Sequence, residues 1–202
     1  SDPRNRRLYN TAVLLDGAGR VVGMNDKVFL LAFGETIPFG DTFPIFYDWI
    51  PEASRFTAGR EPSVIRWGDK TLGMLVCYED ILPRFANEVM ALEPDVLINL
   101  TNDAWFGKTG EPYLHMILAA MRAVEHRRAL IRSTNTGVSV VVDPVGRVVQ
   151  ETSVDDAEVL VADVPLMDGR TLYSRIGEVF GHGCIAWAFL VLVAARIRRR
   201  RN

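Results

Sequence analysis

Cys77 closes the apolar run 71–76 and opens a polar one, Tyr78, Glu79 and Asp80. A thiol at the point where a buried strand hands over to a helix sits at the rim of a sheet, beside N–H groups with no intrahelical partner. That setting lowers a thiol's pKa and favours attack. An unassisted cysteine titrates near ~8.5, so a nucleophile working at neutral pH needs such help. A lone cysteine is as readily a small buried hydrophobe. The charged cluster behind this one argues otherwise, because it is costly to bury unless it lines a site. The chemistry on offer is nucleophilic catalysis by sulfur.

Lys27 ends another strand-like run, and Glu35 follows eight residues later. By burial statistics alone such a pair reads as solvated surface charge. Trp105 and Phe106 lie in the polar, Gly-bearing loop 101–110 and fit core packing or a substrate wall equally well. His115 and His126 have no partner at metal-ligand spacing, so they read as structural, and neither a metal nor a cofactor is expected.

The elements that must position these residues follow an α/β pattern. Residues 10–15 and 20–23 form a hairpin around Asp16, Gly17, Ala18 and Gly19 and lead into Lys27. Residues 39–62, rich in Pro, Gly and aromatics without clear periodicity, read as a long surface excursion. A second hairpin, 63–67 with 71–76, ends at Cys77, and a helix is expected over 81–92. A buried strand at 96–100, a helix over 113–128, a strand at 130–133 and a hairpin of 138–142 with 145–150 come next. Residues 159–164 close the globular part, which is expected to run over 1–178.

With 49% hydrophobic and 24% charged residues the chain can bury one core. The net charge of -2 conceals an arginine cluster at 196 and 198–201, so a general nucleic-acid footprint is not supported. Cys77 and Cys184 alone make no disulfide framework. Residues 179–195 are apolar apart from His182 and end at Arg196. As a helix this run reaches about 26 Å, close to a hydrocarbon core of roughly 30 Å, and snorkelling arginines make up the difference. A buried core helix is the alternative, but each arginine beyond the run would then need a partner. Residues 179–202 therefore read as one transmembrane helix with a basic cytoplasmic tail, and the globular part faces the other side.

Cys77, Lys27 and Glu35 together resemble the nitrilase superfamily, in which a glutamate base, a lysine and a cysteine act jointly. The match narrows at Asn102-Asp103-Ala104-Trp105-Phe106-Gly107, at His115, Arg122, Ala123 and Glu125, and at residues 132–137, Arg-Ser-Thr-Asn-Thr-Gly. These runs are similar to the apolipoprotein N-acyltransferase family, from about Tyr9 into the tail.

The resemblance implies a nitrilase αββα sandwich lacking its first strand and helix. It implies Cys77 as nucleophile, Lys27 as oxyanion partner, Glu35 as supporting glutamate, and Tyr78, Glu79, Trp105 and Phe106 as substrate-facing residues. A phospholipid would donate the acyl chain and an apolipoprotein would accept it, at the bacterial inner membrane with the catalytic part in the periplasm. Two departures, Ala32 for the family's usual proline and Phe29 for its usual histidine, remove no catalytic group. The family's base glutamate precedes the lysine, and no glutamate precedes Glu35 here. Residues 1–202 alone are therefore expected to fold poorly and not to turn over, and the natural gene to continue upstream of Ser1. A carbon–nitrogen hydrolase and an inactive lipoprotein-binding fragment are the alternatives.

Overall fold

The computed structural model describes residues 7–107, 109–154 and 156–201. Strands β1 (Thr11–Leu15) and β2 (Val21–Asp26) form an antiparallel hairpin. Its turn closes on Asp16, whose carboxylate accepts the backbone N–H of Ala18 and Arg20 at 2.9 Å each. Strands β3 (Val64–Trp67), β4 (Lys70–Val76), β5 (Val96–Thr101), β6 (Leu130–Thr134), β7 (Val140–Val142) and β8 (Val148–Glu151) lie side by side in that order in one sheet. β4, β5 and β6 are parallel because helices α2 (Pro83–Met90) and α3 (Glu111–His126) make the crossovers. The outer pairs are antiparallel hairpins.

Period-two alternation in β4 and β5 supplies both faces of the sheet. Leu75 and Leu97 turn to one side, where Phe85, Val89 and Met90 of α2 and Met116, Ala119 and Ala123 of α3 cover them. Met74 and Val76 turn to the other, where Ala12 and Leu14 of the first hairpin meet them. The layers are thus helices, sheet and hairpin, three of the four in an αββα sandwich. The hairpin's outer face, with Val13, Leu15, Val21 and Met24, is exposed, and no helix covers it among the described residues.

Three local expectations change. The helix expected over 81–92 is α2 alone, and Cys77–Ile81 before it is a tight 3-10 turn. Pro83 explains the break, because a proline suits the first turn of a helix but cannot donate within it. The excursion after Phe39 holds a short helix, α1 (Ile45–Trp49), which seats Tyr47 against Ile37 and Ala53 in a small core of its own. Residues 159–164 do not close the core, since Val159 and Val161 are 89% and 81% exposed. That task falls to α4 (Leu172–Ile176), capped by the Thr171 hydroxyl and joined to α3 by a 2.7 Å hydrogen bond between Ser174 Oγ and His126 Nδ1.

The last helix, α5 (Val179–Arg201), has apolar side chains exposed on every side, among them Phe180, Ile185, Trp187 and Leu192. Its 23 residues extend about 34 Å, long and apolar enough to cross a bilayer.

Candidate active site

Cys77 follows directly on the carboxyl end of β4 with φ at +55°, in the left-handed region that side chains with a Cβ disfavour. The backbone therefore turns sharply and lifts the sulfur off the sheet edge, a strained strand-to-turn corner of the kind that presents nucleophiles. The 3-10 turn replaces the helix start expected here, so the dipole of α2, which begins only at Pro83, does not act on the thiol. Asn99 of β5 donates from Nδ2 to the Cys77 carbonyl at 2.9 Å and to that of Leu75 at 3.1 Å.

Lys27 lies just beyond β2, held by its own N–H donating to Asn10 O at 2.8 Å and its carbonyl accepting Gly59 N–H at 2.7 Å. Its side chain is buried, with Nζ 2.6 Å from Glu35 Oε2. The Glu35 carboxylate also accepts from Asn10 Nδ2 and the Leu31 N–H, both at 2.8 Å. Desolvation raises the Glu35 pKa, but the Leu31 N–H, Lys27 and Asn10 outweigh it and hold the carboxyl below its ordinary range. The result is a fixed ammonium group. Tyr78 packs beside it, its ring centroid 5.2 Å from Nζ.

Lys27, Glu35 and Cys77 share one cleft of about 430 Å³, walled on the far side by Asn102, Trp105 and Asn135. These wall residues follow the carboxyl ends of β5 and β6, the rim where parallel sheets bind ligands. Trp105 is 70% exposed and free to meet a substrate.

Of the four residues expected to face substrate, Trp105 lines the cleft, whereas Tyr78, Glu79 and Phe106 do not. Glu79 is fully buried, its carboxylate taking the N–H groups of Val28 at 2.7 Å, Phe29 at 2.9 Å and Val76 at 2.7 Å. It ties the segment after Lys27 to the strand before Cys77, and so sets the lysine against the thiol. Burial pushes its carboxyl pKa up, against the pull of those N–H groups and Lys27. Phe106 turns away from the cleft, its ring edge on His115 with centroids 6.2 Å apart.

Behind the site lies a cluster of which the sequence shows only His115, read there as structural. His115 Nε2 and Nδ1 each lie 2.9 Å from a buried carboxylate, Asp80 and Asp103 respectively. Arg132 bonds both aspartates, Asp103 at 2.8 Å. A histidine on the inner face of α3 with carboxylates on both flanking loops was the available signal. Desolvation lowers the His115 pKa, yet the bonds to Asp103 and Asp80 prevail and lift it to about 9. His126 goes the opposite way, to about 4, through burial and the nearby Arg122, Arg128 and Arg170.

These opposite shifts give a stability optimum near neutrality. The native state binds an extra proton at His115 between 6.5 and about 9, so that contribution is complete below 6.5 and is lost as pH rises through about 9. His126 is kept neutral, so its contribution is present above 6.5 and is lost as pH falls through about 4. Each limb is on the order of 3 kcal/mol. Urea unfolding across this range is expected to peak between the limbs, with His115→Gln flattening the alkaline one. A parent profile flat above 6.5 would remove the proton from His115.

The fold and this cleft define a class, and sequence comparison agrees: the carbon–nitrogen hydrolase profile matches residues 2–173. The chain belongs to the carbon–nitrogen hydrolase family. Within it, the chain is similar to apolipoprotein N-acyltransferases, at 34% identity to that of Geobacter metallireducens over all of this chain and 38% of the relative. The Bdellovibrio bacteriovorus protein of the same name is 41% identical over 71% of this chain and 27% of the relative. The matches thus cover between 27% and 38% of the length of these relatives.

Among solved structures, a mutant of the Nesterenkonia AN1 amidase from the nitrilase superfamily matches with a TM-score of 0.52 and 27% identity, over 71% of this chain and 51% of the other. A second mutant of that amidase, with the same TM-score and identity, carries the acetamide moiety of fluoroacetamide on its active-site cysteine. A Helicobacter pylori carbon–nitrogen hydrolase shares the fold, with a TM-score of 0.58 at 20% identity, over 78% of this chain and 56% of the other.

Proposed function

We propose that this chain carries the acyl-transfer site of an apolipoprotein N-acyltransferase, with Cys77 as the nucleophile. The observation that supports it most is one cleft presenting a thiol on a strained corner and a lysine locked beside it by Glu35 and Glu79. Cys77 Sγ attacks the ester carbonyl of a glycerophospholipid, the C–O bond breaks, and lysophospholipid leaves with the proton. The amino group of a lipoprotein's N-terminal cysteine then attacks the thioester, the C–S bond breaks, and the proton lost by the amine ends on the leaving sulfur, which restores the Cys77 thiol. Both tetrahedral intermediates place negative charge on oxygen, which the Lys27 ammonium stabilises. Trp105 offers an apolar wall for the acyl chain.

Each attack also needs a proton acceptor. Among the described residues, Glu35 is the carboxylate on the cleft wall, and its oxygens are committed to Lys27, Asn10 and Leu31 with a lowered pKa. It serves Lys27 and makes a poor base, so residues 1–202 alone are not expected to turn over.

The apolar, exposed α5 supports membrane anchoring, and its terminal arginines support a cytoplasmic tail with the cleft on the periplasmic side. An amide hydrolase would use the same residues, and the neighbouring amidases favour that reading. The fate of the thioester separates the two. The protein in its full natural length, embedded in the membrane, is incubated with phospholipid and an N-terminal diacylglyceryl-cysteine peptide, its tail protected from added protease. Release of lysophospholipid with acylated peptide is the expected result, and free fatty acid regardless of peptide would make it a hydrolase.

A further inference from the structure

The cleft wall opposite Lys27 hangs from the buried charges of Asp80, Asp103, His115 and Arg132, which the acyl-transfer steps do not use. Asp80 belongs to the turn that starts at Cys77, and Asp103 to the loop that carries Asn102 and Trp105. A third segment crosses close by: a Cβ on Gly137 would stand 2.7 Å from Asp103 Oδ2, so the chain after Asn135 rests directly on that carboxylate. Three cleft-forming segments therefore meet at one ion cluster, whose four side chains are all at least nine-tenths buried.

The cluster also reaches the nucleophile's own backbone. Arg132 Nη1 donates to Asn99 Oδ1 at 3.0 Å. A guanidinium has no acceptor, so Asn99 must turn its oxygen to Arg132 and its amide N–H groups to the carbonyls of Cys77 and Leu75. A flipped amide would put oxygen against oxygen. The left-handed φ of Cys77 persists only if its surroundings hold it, and this bond is one of those restraints.

We propose that Arg132 and His115 are positioning residues: acting through Asn99, Asp80 and Asp103, they hold the Cys77 corner in its strained geometry and in register with the Trp105 loop. The proposal rests on Cys77 being the nucleophile. His115 suits the task because, with both ring nitrogens against carboxylates, it satisfies both only as a double donor. The groups facing it are Asp80 from the turn, Asp103 and the Phe106 ring from the loop, and Arg132 from β6 at the far oxygens of the same aspartates. Its pKa of about 9 agrees with that state at neutral pH.

The test uses the full-length protein in membranes with Cys184 replaced by alanine, and rates are expressed per Cys77 titrated by iodoacetamide in the protease-resistant, folded fraction, so that loss of folded protein does not count. Asn99→Leu and His115→Gln are expected to slow acyl loading of Cys77 by about tenfold to a hundredfold in kcat, with KM little changed. The parent's loading rate is expected to fall as pH rises through about 9, and His115→Gln to lack that fall. If Asn99→Leu does not fold, His115→Gln carries the comparison. Variants that load within about twofold of the parent per titrated thiol, with only the melting temperature lowered, would reduce the cluster to a structural one. The same comparison with p-nitrophenyl acetate, which asks only for a positioned nucleophile, keeps the inference testable if phospholipid proves to be the wrong donor.

Discussion

Replacing Cys77 by serine is expected to end acyl transfer, lowering the rate by about 1,000-fold or more. Among the described residues Cys77 supplies the thiol on the cleft wall, and a thioester is reactive enough to pass its acyl group to an amine. Serine keeps the corner's shape but gives an oxyester, and Glu35 is too well satisfied by hydrogen bonds to deprotonate a hydroxyl. Intact-mass analysis of the parent after exposure to phospholipid should show one added acyl chain, removable by neutral hydroxylamine. The serine variant should show none. An acyl group found on Cys184, which is exposed on α5, or full activity in Cys77→Ser, would overturn the assignment.

Lys27→Ala is expected to slow loading by about 100-fold to 1,000-fold, the effect of removing an oxyanion donor from a preorganised site. The ammonium is fixed in advance, 1% exposed and 2.6 Å from Glu35, so no reorganisation is required as charge develops on the substrate oxygen. Lys27→Arg should rescue poorly, because a planar guanidinium does not fit a pocket closed by Glu35 on one side and the Tyr78 ring on the other. Single-turnover loading measures this without interference from the second half of the reaction. An alanine variant within about twofold of the parent would return Lys27 to the role of a structural ion-pair partner.

Much of this arrangement was legible in the sequence because its cause is local. The hairpin turns show in Gly17–Gly19 and Gly68-Asp69, and the buried strands at β4 and β5 in runs of apolar residues between breakers. The resemblance groups Lys27, Glu35 and Cys77, and one cleft has all three in its lining. What escaped depends on long-range packing. The resemblance implies a substrate-facing Glu79, yet it is buried because Val28, Phe29 and Val76 offer N–H groups that no strand satisfies. His115 could be read as structural, but not as the link between two loops 23 residues apart in the chain. The excursion after Phe39 hid a small core because Tyr47 and Ala53, which pack with Ile37 just before it, follow no regular period. Val159 and Val161 failed in the opposite sense: apolar residues in a strand-like run, left exposed because β8 is the last strand of the sheet and pairs only with β7.

The left-handed backbone at residue 77 sets conformation against composition there. Glycine enters that region freely, whereas a residue with a Cβ is destabilised by roughly 1–2 kcal/mol. For folding alone glycine is the better occupant, as it is at the turn residues Gly19 and Gly68, which have similar φ values of 76° and 62°. A cysteine where glycine would be more comfortable gives up stability at a single position and places a thiol there. Phe33, Phe39, Glu93 and Arg127 carry the same conflict, so it is the thiol together with the conformation that sets residue 77 apart.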